Sequence, residues 1–219
     1  MVFGFHRNSQ RLQREEMVRR QLAGRGICDV RVLDAMRNVP RHTFVPESSQ
    51  GNAYADHPLP IGMGQTISQP YIVAAMLEPL RLQATDRVLE VGTGSGYLTA
   101  LLSRLCAEVY SIERHAQLAF LAENTLRRLD FRNVHIRVGD GTQGWPEPMS
   151  FDAILVSAAA AEMPPALFAQ LREGGLMILP IGTPSSQDLQ LIRKANGQPE
   201  VRRLEPCRFV PLVGSDGEP

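Results

Sequence analysis

The central stretch of the chain, from Arg87 to Ala100, is RVLEVGTGSGYLTA. Its first residues are apolar and partly β-branched, which predicts a buried parallel strand, and the residues from Tyr97 to Leu105 predict a helix. Three glycines at alternate positions lie between the two. Glycine adopts backbone conformations closed to other residues and leaves no Cβ between the chain and a ligand. A strand, a tight glycine turn and a helix N-terminus in this order predict a cofactor-binding loop.

The spacing of the glycines indicates which cofactor the loop binds. A dinucleotide-binding loop has the pattern G-x-G-x-x-G, whereas this chain has G-x-G-x-G, with Tyr97 at the place of the third glycine. Glu90 lies two residues before Gly92, and a carboxylate there would repel a pyrophosphate but could pair with a cation. These features favour S-adenosyl-L-methionine, which carries an ammonium and a sulfonium and no phosphate. The predicted cofactor-binding residues of this loop are Glu90, Gly92, Thr93, Gly94 and Gly96.

Two acidic residues that follow later strands complete the predicted cofactor site. Glu113 ends a predicted strand about 20 residues after Gly92, where a ribose-binding carboxylate belongs in such folds. A third strand, from Val134 to Val138, is followed by Asp140, whose carboxylate could accept a hydrogen bond from the adenine amino group, with Gly141 beside it. Considered alone, Glu113 could be an exposed strand end and Asp140 part of a plain turn.

The composition limits the classes of function. Lysine plus arginine equals aspartate plus glutamate at 23 each, so no bulk charge draws the chain of 219 residues to nucleic acid or a membrane. Cys28, Cys106 and Cys207 are too widely spaced for a disulfide framework or a zinc site, and the five histidines lack metal-ligand spacing. No apolar run approaches the length of a membrane span. We expect a soluble cytoplasmic protein without a metal.

The N-terminal part of the chain predicts three helices and a long loop. An arginine-rich amphipathic helix is expected from Asn8 to Gly24, as a solvated face or, alternatively, as an RNA-binding arm. Asp29 is the predicted N-cap of a second helix through Arg37, and a third helix covers about Pro70 to Leu80. Residues 40–67 are rich in proline and glycine and predict a loop.

Strands and helices then alternate from Arg87 to about Gly182. The clearest helix runs from His115 to Leu129, with an apolar face formed by Leu118, Leu121, Ala122, Leu126 and Leu129. The other expected elements are strands at 151–157, 175–181, 189–194 and 201–210 and a helix at 165–171. The predicted fold class is α/β, a Rossmann-like doubly wound sheet with helices on both faces and an N-terminal helical addition.

A single domain is expected over residues 1–213. Within it, residues 1–80 supply the N-terminal helices and a substrate loop, and residues 81–213 supply the cofactor-binding α/β core. Residues 214–219 are expected to form a flexible tail.

The segment from Tyr54 to Pro70 is too long and particular for a plain connection. Gly62 and Gly64 let its backbone bend closely, and short polar side chains follow just before the predicted helix, namely Gln65, Thr66 and Ser68. A helix N-terminus presents free N–H groups and the positive end of the helix dipole, which favours a carboxylate. Ser68 could also be the N-cap of the helix, a role compatible with ligand binding.

Several of these segments together resemble protein-L-isoaspartate O-methyltransferases. The most specific is GQTISQP, from Gly64 to Pro70, because the glycine loop alone is common to a whole methyltransferase superfamily. The resemblance also rests on Val88 to Ala100, on GDGTQGW at 139–145 and on FDAILVSAA at 151–159, and it spans residues 12–213. It implies a sheet of the S-adenosylmethionine-dependent methyltransferase type.

The resemblance further implies a repair enzyme for aged proteins. Such an enzyme methylates the α-carboxylate of L-isoaspartyl residues, and the ester closes to a succinimide whose hydrolysis returns some normal aspartate. Ser68 is implied to be the active-site residue, Ile67 and Ser68 to contact the cofactor, and Gln65, Thr66 and Ser68 to contact the substrate. The expected partners are isoaspartyl-containing proteins and peptides, and the expected state is a monomer.

Other functions remain open on the sequence. A methyltransferase could act on a small molecule or RNA, although the balanced charge argues against RNA. The glycine spacing and Glu90 disfavour a nicotinamide oxidoreductase, and a third alternative binds the nucleoside cofactor without catalysis. A serine hydrolase is excluded, because G-x-S-x-G would need glycine at Thr93 and Tyr97. A glycine turn that only packs a helix on the sheet is the remaining structural alternative.

Overall fold

The computed structural model describes residues 2–217, with side chains described from Ser9 onward. Its helices are α1 Val2–Glu16, α2 Val30–Asn38, α3 Pro70–Leu77, α4 Tyr97–Ser103, α5 Ala116–Arg128 and α6 Pro165–Gln170. Its strands are β1 Leu59–Gly62, β2 Gln65–Ile67, β3 Arg87–Val91, β4 Glu108–Glu113, β5 Val134–Val138, β6 Phe151–Val156, β7 Leu171–Thr183, β8 Ser186–Ala195 and β9 Gln198–Cys207.

The main sheet has the strand order β5-β4-β3-β6-β7-β8-β9. The first five strands in this order pair in parallel, whereas β8 and β9 pair antiparallel at one edge. Strand order reverses at β3, which lies between β4 and β6, and open α/β sheets bind ligands outside the carboxyl ends of the strands at such a reversal. The predicted α/β sheet flanked by helices is confirmed.

The apolar sequence of β3 follows from its position in the middle of the sheet. Val88, Leu89 and Val91 are each at most 3% exposed, because the strand has a neighbour on both edges and helices cover the sheet. Tyr97 and Leu101 of α4 are also buried. This packing fixes the two ends of the glycine loop between β3 and α4.

The three predicted N-terminal helices are present, although the first begins at Val2 and not at Asn8. After α1 the chain continues through a π-helical segment at Met17–Leu22 and a 3-10 turn, and it leaves the helix at Gly26, where φ is 96°. The carboxylate of Asp29 accepts hydrogen bonds from the N–H groups of Arg31 and Val32 and so caps α2. The buried side chains of the π-helical segment pack against α3 and extend the core of the sheet.

Residues 40–67 contain more ordered structure than the predicted loop. They form two 3-10 segments, Arg41–Phe44 and Glu47–Asn52, and the antiparallel hairpin of β1 and β2. The loop prediction is wrong for the hairpin because Leu59, Ile61 and Ile67 bury their side chains while their neighbours stay exposed. In this segment the proline and glycine residues connect short 3-10 helices and strands and do not prevent them from forming.

Helix α5 also differs in one detail from the expected face. Leu118, Ala122 and Leu126 are buried, but Leu121 is 51% exposed. At about 100° per residue, Leu121 lies well away from the centre of the stripe formed by the other three. Leu129, just after the helix, packs partly buried against the core.

Candidate active site

A cavity of about 550 Å³ lies at the carboxyl ends of β3, β4 and β6, and the strand order reverses between β3 and β6. The glycine loop and Glu113 line one part of it, and residues 65–69, just before α3, line another. The C-terminal segment from Pro206 to Val213 contributes further lining. The structure therefore brings together the two segments that the sequence assigned to cofactor and substrate.

The glycine loop has a backbone that other residues rarely adopt. φ is 94° at Gly92, 54° at Gly94 and 85° at Gly96. Gly92 and Gly94 line the cavity, whereas a Cβ added to Gly96 would lie 3.1 Å from the Cβ of Ala122 in α5. Gly96 therefore lets α4 pack closely on α5, and the predicted direct contact between Gly96 and the cofactor does not follow from this position.

Glu113 supports the loop from the end of β4. Its side chain is almost fully buried, Oε2 accepts a hydrogen bond from the N–H of Gly94 at 2.8 Å, and Oε1 accepts one from the N–H of His115 at 2.9 Å. Each carboxylate oxygen has a second lone pair, so Glu113 can still accept hydrogen bonds from a ligand in the cavity that it lines. The predicted ribose contact is compatible with this geometry.

Glu90 lies beneath the glycine loop and does not line the cavity. The residue is 0% exposed, and Oε2 accepts hydrogen bonds from the hydroxyls of Thr99 and Ser111, both at 2.6 Å. Oε1 has no partner among the described residues. Burial raises the pKa of Glu90 to about 8, although the two hydroxyls act to lower it. The expected direct pairing with a cationic cofactor group does not follow, because the bonded partners of Glu90 lie on α4 and β4.

Thr93 belongs to the same buried network. Its Oγ1 lies 2.5 Å from Oγ of Ser111, and the residue is 3% exposed. Its hydroxyl is therefore directed to the side chains below the loop, and the backbone of Thr93 is the part available to the cavity that the residue lines.

Asp140 follows β5, and its carboxylate is bonded to the C-terminal segment of the same chain. Oδ1 accepts hydrogen bonds from the N–H and the hydroxyl of Thr142, at 2.9 and 2.7 Å, and Oδ2 accepts them from the N–H and the hydroxyl of Ser215, at 2.8 and 3.0 Å. Burial acts to raise the pKa of Asp140, but these bonds hold it below its ordinary value. A hydrogen bond from adenine to Asp140 therefore competes with the segment around Ser215.

That segment is part of the predicted tail. Gly214 packs so closely on Asp140 that an added Cβ would collide with Oδ1, and the chain turns there, with the N–H of Gly217 donating to the carbonyl of Gly214 at 3.1 Å. Residues 218 and 219 lie outside the described residues. The flexibility of the tail stays a prediction.

Gly141, Ile67 and Ser68 are the remaining predicted cofactor contacts, and all three line the cavity. Gly141 is buried, and a Cβ there would collide with the side chain of Val91 in β3. The chain can therefore pass this close to β3 only with glycine at this position. Ile67 is 5% exposed at the end of β2.

Ser68 joins the hairpin to α3. The N-cap position of α3 is Gln69, so the alternative role of Ser68 as a helix cap is wrong. Its carbonyl oxygen accepts a hydrogen bond from Nη2 of Arg41 at 2.8 Å, while its hydroxyl has no partner in the described part of the chain. Gln65 and Thr66 line the same cavity. The hydroxyl of Ser68 is thus available to a ligand.

Arg41 is a residue that the sequence reasoning missed. It is 0% exposed, its Nε donates to the carbonyl of Ala53 at 2.8 Å, and its guanidinium lies 5.0 Å from the ring centroid of Tyr97. Burial lowers the pKa of Arg41 to about 10, so the side chain stays charged at neutral pH. Its partners are the carbonyl oxygens of Ala53 and Ser68, 12 and 27 residues further along the chain, so no pattern in the sequence marks Arg41.

Comparison with known proteins identifies the family. The sequence pattern of the family described as protein-L-isoaspartate(D-aspartate) O-methyltransferase (PCMT) matches residues 12–217. The chain belongs to this family. The resemblance seen in the sequence is thereby confirmed.

Individual relatives of the PCMT family agree with this assignment. The chain is 56% identical to a protein-L-isoaspartate O-methyltransferase of Opitutus terrae, over 92% of this chain and 87% of the relative, and 52% identical to one of Koribacter versatilis, over 94% and 93%. A solved PCMT structure from Plasmodium falciparum, in complex with S-adenosyl-L-homocysteine, is 31% identical with a TM-score of 0.81, covering 91% of this chain and 98% of that one. Another solved protein-L-isoaspartate O-methyltransferase has a TM-score of 0.85 at 32% identity, over 93% and 67%.

Membrane-spanning helices and metal-binding clusters are absent from the described residues. None of the helices within residues 2–217 is long and apolar enough to cross a membrane. The same part of the chain contains no group of three or more His, Cys, Asp or Glu side chains that could hold a metal ion. The three cysteines are free thiols, with Cys28 exposed and Cys106 buried.

Proposed function

We propose that the cavity holds S-adenosyl-L-methionine next to an isoaspartyl residue, and that the chain methylates the α-carboxylate of that residue. The chain is a methyltransferase of the PCMT family, whose reaction yields a methyl ester and S-adenosyl-L-homocysteine. The observation that supports the site most directly is that the glycine loop and residues 65–68 line one cavity.

The residues of the loop fit the cofactor. Gly92, Gly94 and Gly141 present backbone without a Cβ to the cavity, which lets a ligand approach closely. We assign the ribose hydroxyls to Glu113, whose two oxygens each retain an acceptor position, and the cofactor's apolar surface to Ile67. Asp140 accepts from the adenine amino group once Ser215 has moved away. Glu90 acts indirectly, because it fixes the loop from below.

On the substrate side we assign Gln65, Thr66 and Ser68 to the isoaspartyl residue. When bound, the cofactor supplies an electrophilic methyl group. A carboxylate with a pKa of about 4 is ionised at neutral pH, so the substrate needs no general base. The hydroxyl of Ser68 orients the substrate carboxylate, and the N-terminus of α3 favours its negative charge. The chain then has to align the reacting atoms and exclude water.

Matched peptides test this function. An isoaspartyl peptide and its aspartyl twin are incubated with the chain and a methyl-labelled donor, and base-labile label in the peptide is counted. We expect label in the isoaspartyl peptide alone. Equal labelling of both peptides, or labelling of neither at any donor concentration, would contradict the proposal.

We further propose that the chain acts as a monomeric, single-domain enzyme in the cytoplasm, on polypeptides and not on nucleic acid. Buried residues from both the N-terminal helices and the sheet belong to one hydrophobic cluster, which supports a single domain over residues 1–213. The equal numbers of basic and acidic residues support the absence of a nucleic-acid partner. Light scattering during size exclusion tests the monomer, and a mass of twice 24.2 kDa would reject it.

A further inference from the structure

A second groove, of about 940 Å³, lies between α3 and the antiparallel edge of the sheet. We call it the lateral groove. Its floor is apolar and includes Leu189 and Leu191 of β8 and Leu204 of β9, while Tyr71 and Ala75 of α3 form the opposite wall. Four arginines also line it, namely Arg25, Arg81, Arg193 and Arg202. An apolar floor between cationic side chains suits an amphipathic ligand.

The lateral groove shares a wall with the candidate active site. Tyr71 and Glu205 line the groove, and the hydroxyl of Tyr71 donates to Oε1 of Glu205 at 2.6 Å. The next residue along each element, Ile72 in α3 and Pro206 in β9, lines the active-site cavity. The groove therefore begins where the cavity ends.

The acidic residues of the groove are already bonded. Oε1 of Glu78 accepts hydrogen bonds from the N–H groups of Cys28 and Asp29, at 2.6 and 2.7 Å. Asp29 caps α2, and Glu205 accepts from the hydroxyl of Tyr71. These carboxylates are committed to the structure of the walls.

Two of the arginines, by contrast, are available. Arg25 and Arg193 each have an acidic partner, whereas no carboxylate among the described side chains lies within 4.0 Å of Arg81 or Arg202. Arg202 is the cross-strand partner of Leu191, which places its side chain beside the apolar floor. The lateral groove thus carries unpaired positive charge next to an apolar surface.

We propose that the lateral groove binds the substrate polypeptide on one side of its isoaspartyl residue and favours acidic residues there. This proposal rests on the proposed function, because a protein substrate must extend from the reacting residue across the enzyme surface, by about 3.3 Å per residue when extended. Apolar side chains of the bound segment pack on the floor, and its carboxylates pair with Arg81 and Arg202.

Peptide pairs test the proposal. Each pair contains an isoaspartyl residue flanked, on its N-terminal or C-terminal side, by a block of three glutamates or of three glutamines. For at least one side we expect kcat/KM for the glutamate peptide to exceed that for the glutamine peptide by roughly 3- to 10-fold at low salt. We expect this ratio to fall to about one in Arg81→Glu/Arg202→Glu and to decrease in 0.5 M salt.

A matched variant controls for net charge. Arg128→Glu/Arg132→Glu makes the same change of charge near β5, the opposite edge of the sheet from β9, and should retain the wild-type ratio. The single neutral variant Arg202→Gln should give an intermediate ratio, and because Arg202 is exposed it should fold as the wild type does.

The outcomes separate this proposal from the proposed function. Ratios near one for both sides in the wild type would overturn docking in the lateral groove, as would a ratio that persists in Arg81→Glu/Arg202→Glu. Methylation of a short neutral isoaspartyl peptide reports on the proposed function alone.

Discussion

Arg41 donates a hydrogen bond from Nη2 to the carbonyl oxygen of Ser68 at 2.8 Å, so a fully buried cation holds the backbone of the candidate active-site residue. Through Nε the same guanidinium holds Ala53, which precedes the hairpin. Arg41 itself does not line the cavity. The position of the Ser68 hydroxyl therefore depends on a side chain outside the site.

We expect Arg41→Lys to lower both activity and stability. Lysine keeps the charge but lacks the planar fork that reaches both carbonyl oxygens. The loss of a buried hydrogen bond should reduce the free energy of unfolding by about 1–3 kcal/mol, and displacement of Ser68 should lower kcat about 10-fold. Urea unfolding and steady-state kinetics measure the two effects, with the exposed Arg37→Lys as control. An unchanged kcat would rule out the positioning role.

Replacement of Ser68 tests its role directly. We expect Ser68→Ala to lower kcat roughly 10- to 100-fold while the Kd of the cofactor changes less, because the hydroxyl orients the substrate carboxylate. Ser68→Thr keeps a hydroxyl and should retain more activity. Kinetics and calorimetry together separate the effects, and wild-type kcat in Ser68→Ala would contradict the assignment.

Glu113 should dominate the affinity for the cofactor. Glu113→Ala removes the ribose acceptor and also leaves the N–H groups of Gly94 and His115 without their partner. We expect binding to weaken by roughly 10- to 100-fold, equivalent to about 1.5–3 kcal/mol. Glu113→Gln retains one acceptor oxygen and should lose less. Calorimetry that gave wild-type affinity for Glu113→Ala would reject the assignment.

Glu90 should make stability depend on pH. Burial raises the pKa of Glu90 in the folded chain to about 8. Between the lower pKa that Glu90 has in the unfolded chain and pH 8, the folded chain therefore holds one more proton than the unfolded chain. Stability should therefore fall as pH rises through this interval, by up to about 1.4 kcal/mol per pH unit. In Glu90→Gln, which is neutral at every pH, this contribution should vanish.

The measurement for Glu90 is the free energy of unfolding between pH 5 and 9. Glu123→Gln on the exposed side of α5 is the control and should keep the wild-type slope. Identical slopes in Glu90→Gln and the wild type would mean that Glu90 is ionised in the folded chain.

Removal of residues 214–219 should tighten cofactor binding. The truncation frees Oδ2 of Asp140 from Ser215, so adenine no longer competes with a group of the same chain. We expect the Kd of the cofactor to fall by about 3- to 10-fold. Asp216→Asn serves as control, because Asp216 uses only its backbone N–H, which donates to Oγ1 of Thr142. Weaker binding after truncation would mean that the segment helps to hold the cofactor.

The sequence predicted the elements whose periodicity is strong. Strands β3 to β6 and helices α2 to α6 lie close to their expected bounds, because buried strands and helices have distinct apolar patterns. Strands β7 and β8 begin four and three residues earlier than expected, and β9 lies three residues before the expected 201–210, because its exposed residues give no apolar pattern that fixes its ends. The hairpin at 59–67 was missed, since proline and glycine in a short segment indicate a turn whether or not strands flank it. Leu121 was misplaced because a pattern does not reveal which part of a helix a neighbour covers.

Within the site, the residues that line the cavity were easier to predict than the contacts that individual side chains make. Gly92, Gly94 and Glu113 line the cavity, and their contact with the cofactor stays a prediction. Glu90 bonds to α4 and β4 and Asp140 to Ser215, pairings that depend on tertiary structure. Arg41 was overlooked because arginine is rarely buried without an acidic partner. Its partners are backbone carbonyls, which leave no mark on the sequence.

The two antiparallel strands β8 and β9 place the groove proposed for the substrate polypeptide apart from the loop proposed for the methyl donor. They border the lateral groove, and β9 reaches the cavity at its far end, yet neither strand belongs to the glycine loop. On the docking proposed above, substitutions along this edge would change which isoaspartyl segments bind and would leave the glycine loop unaltered.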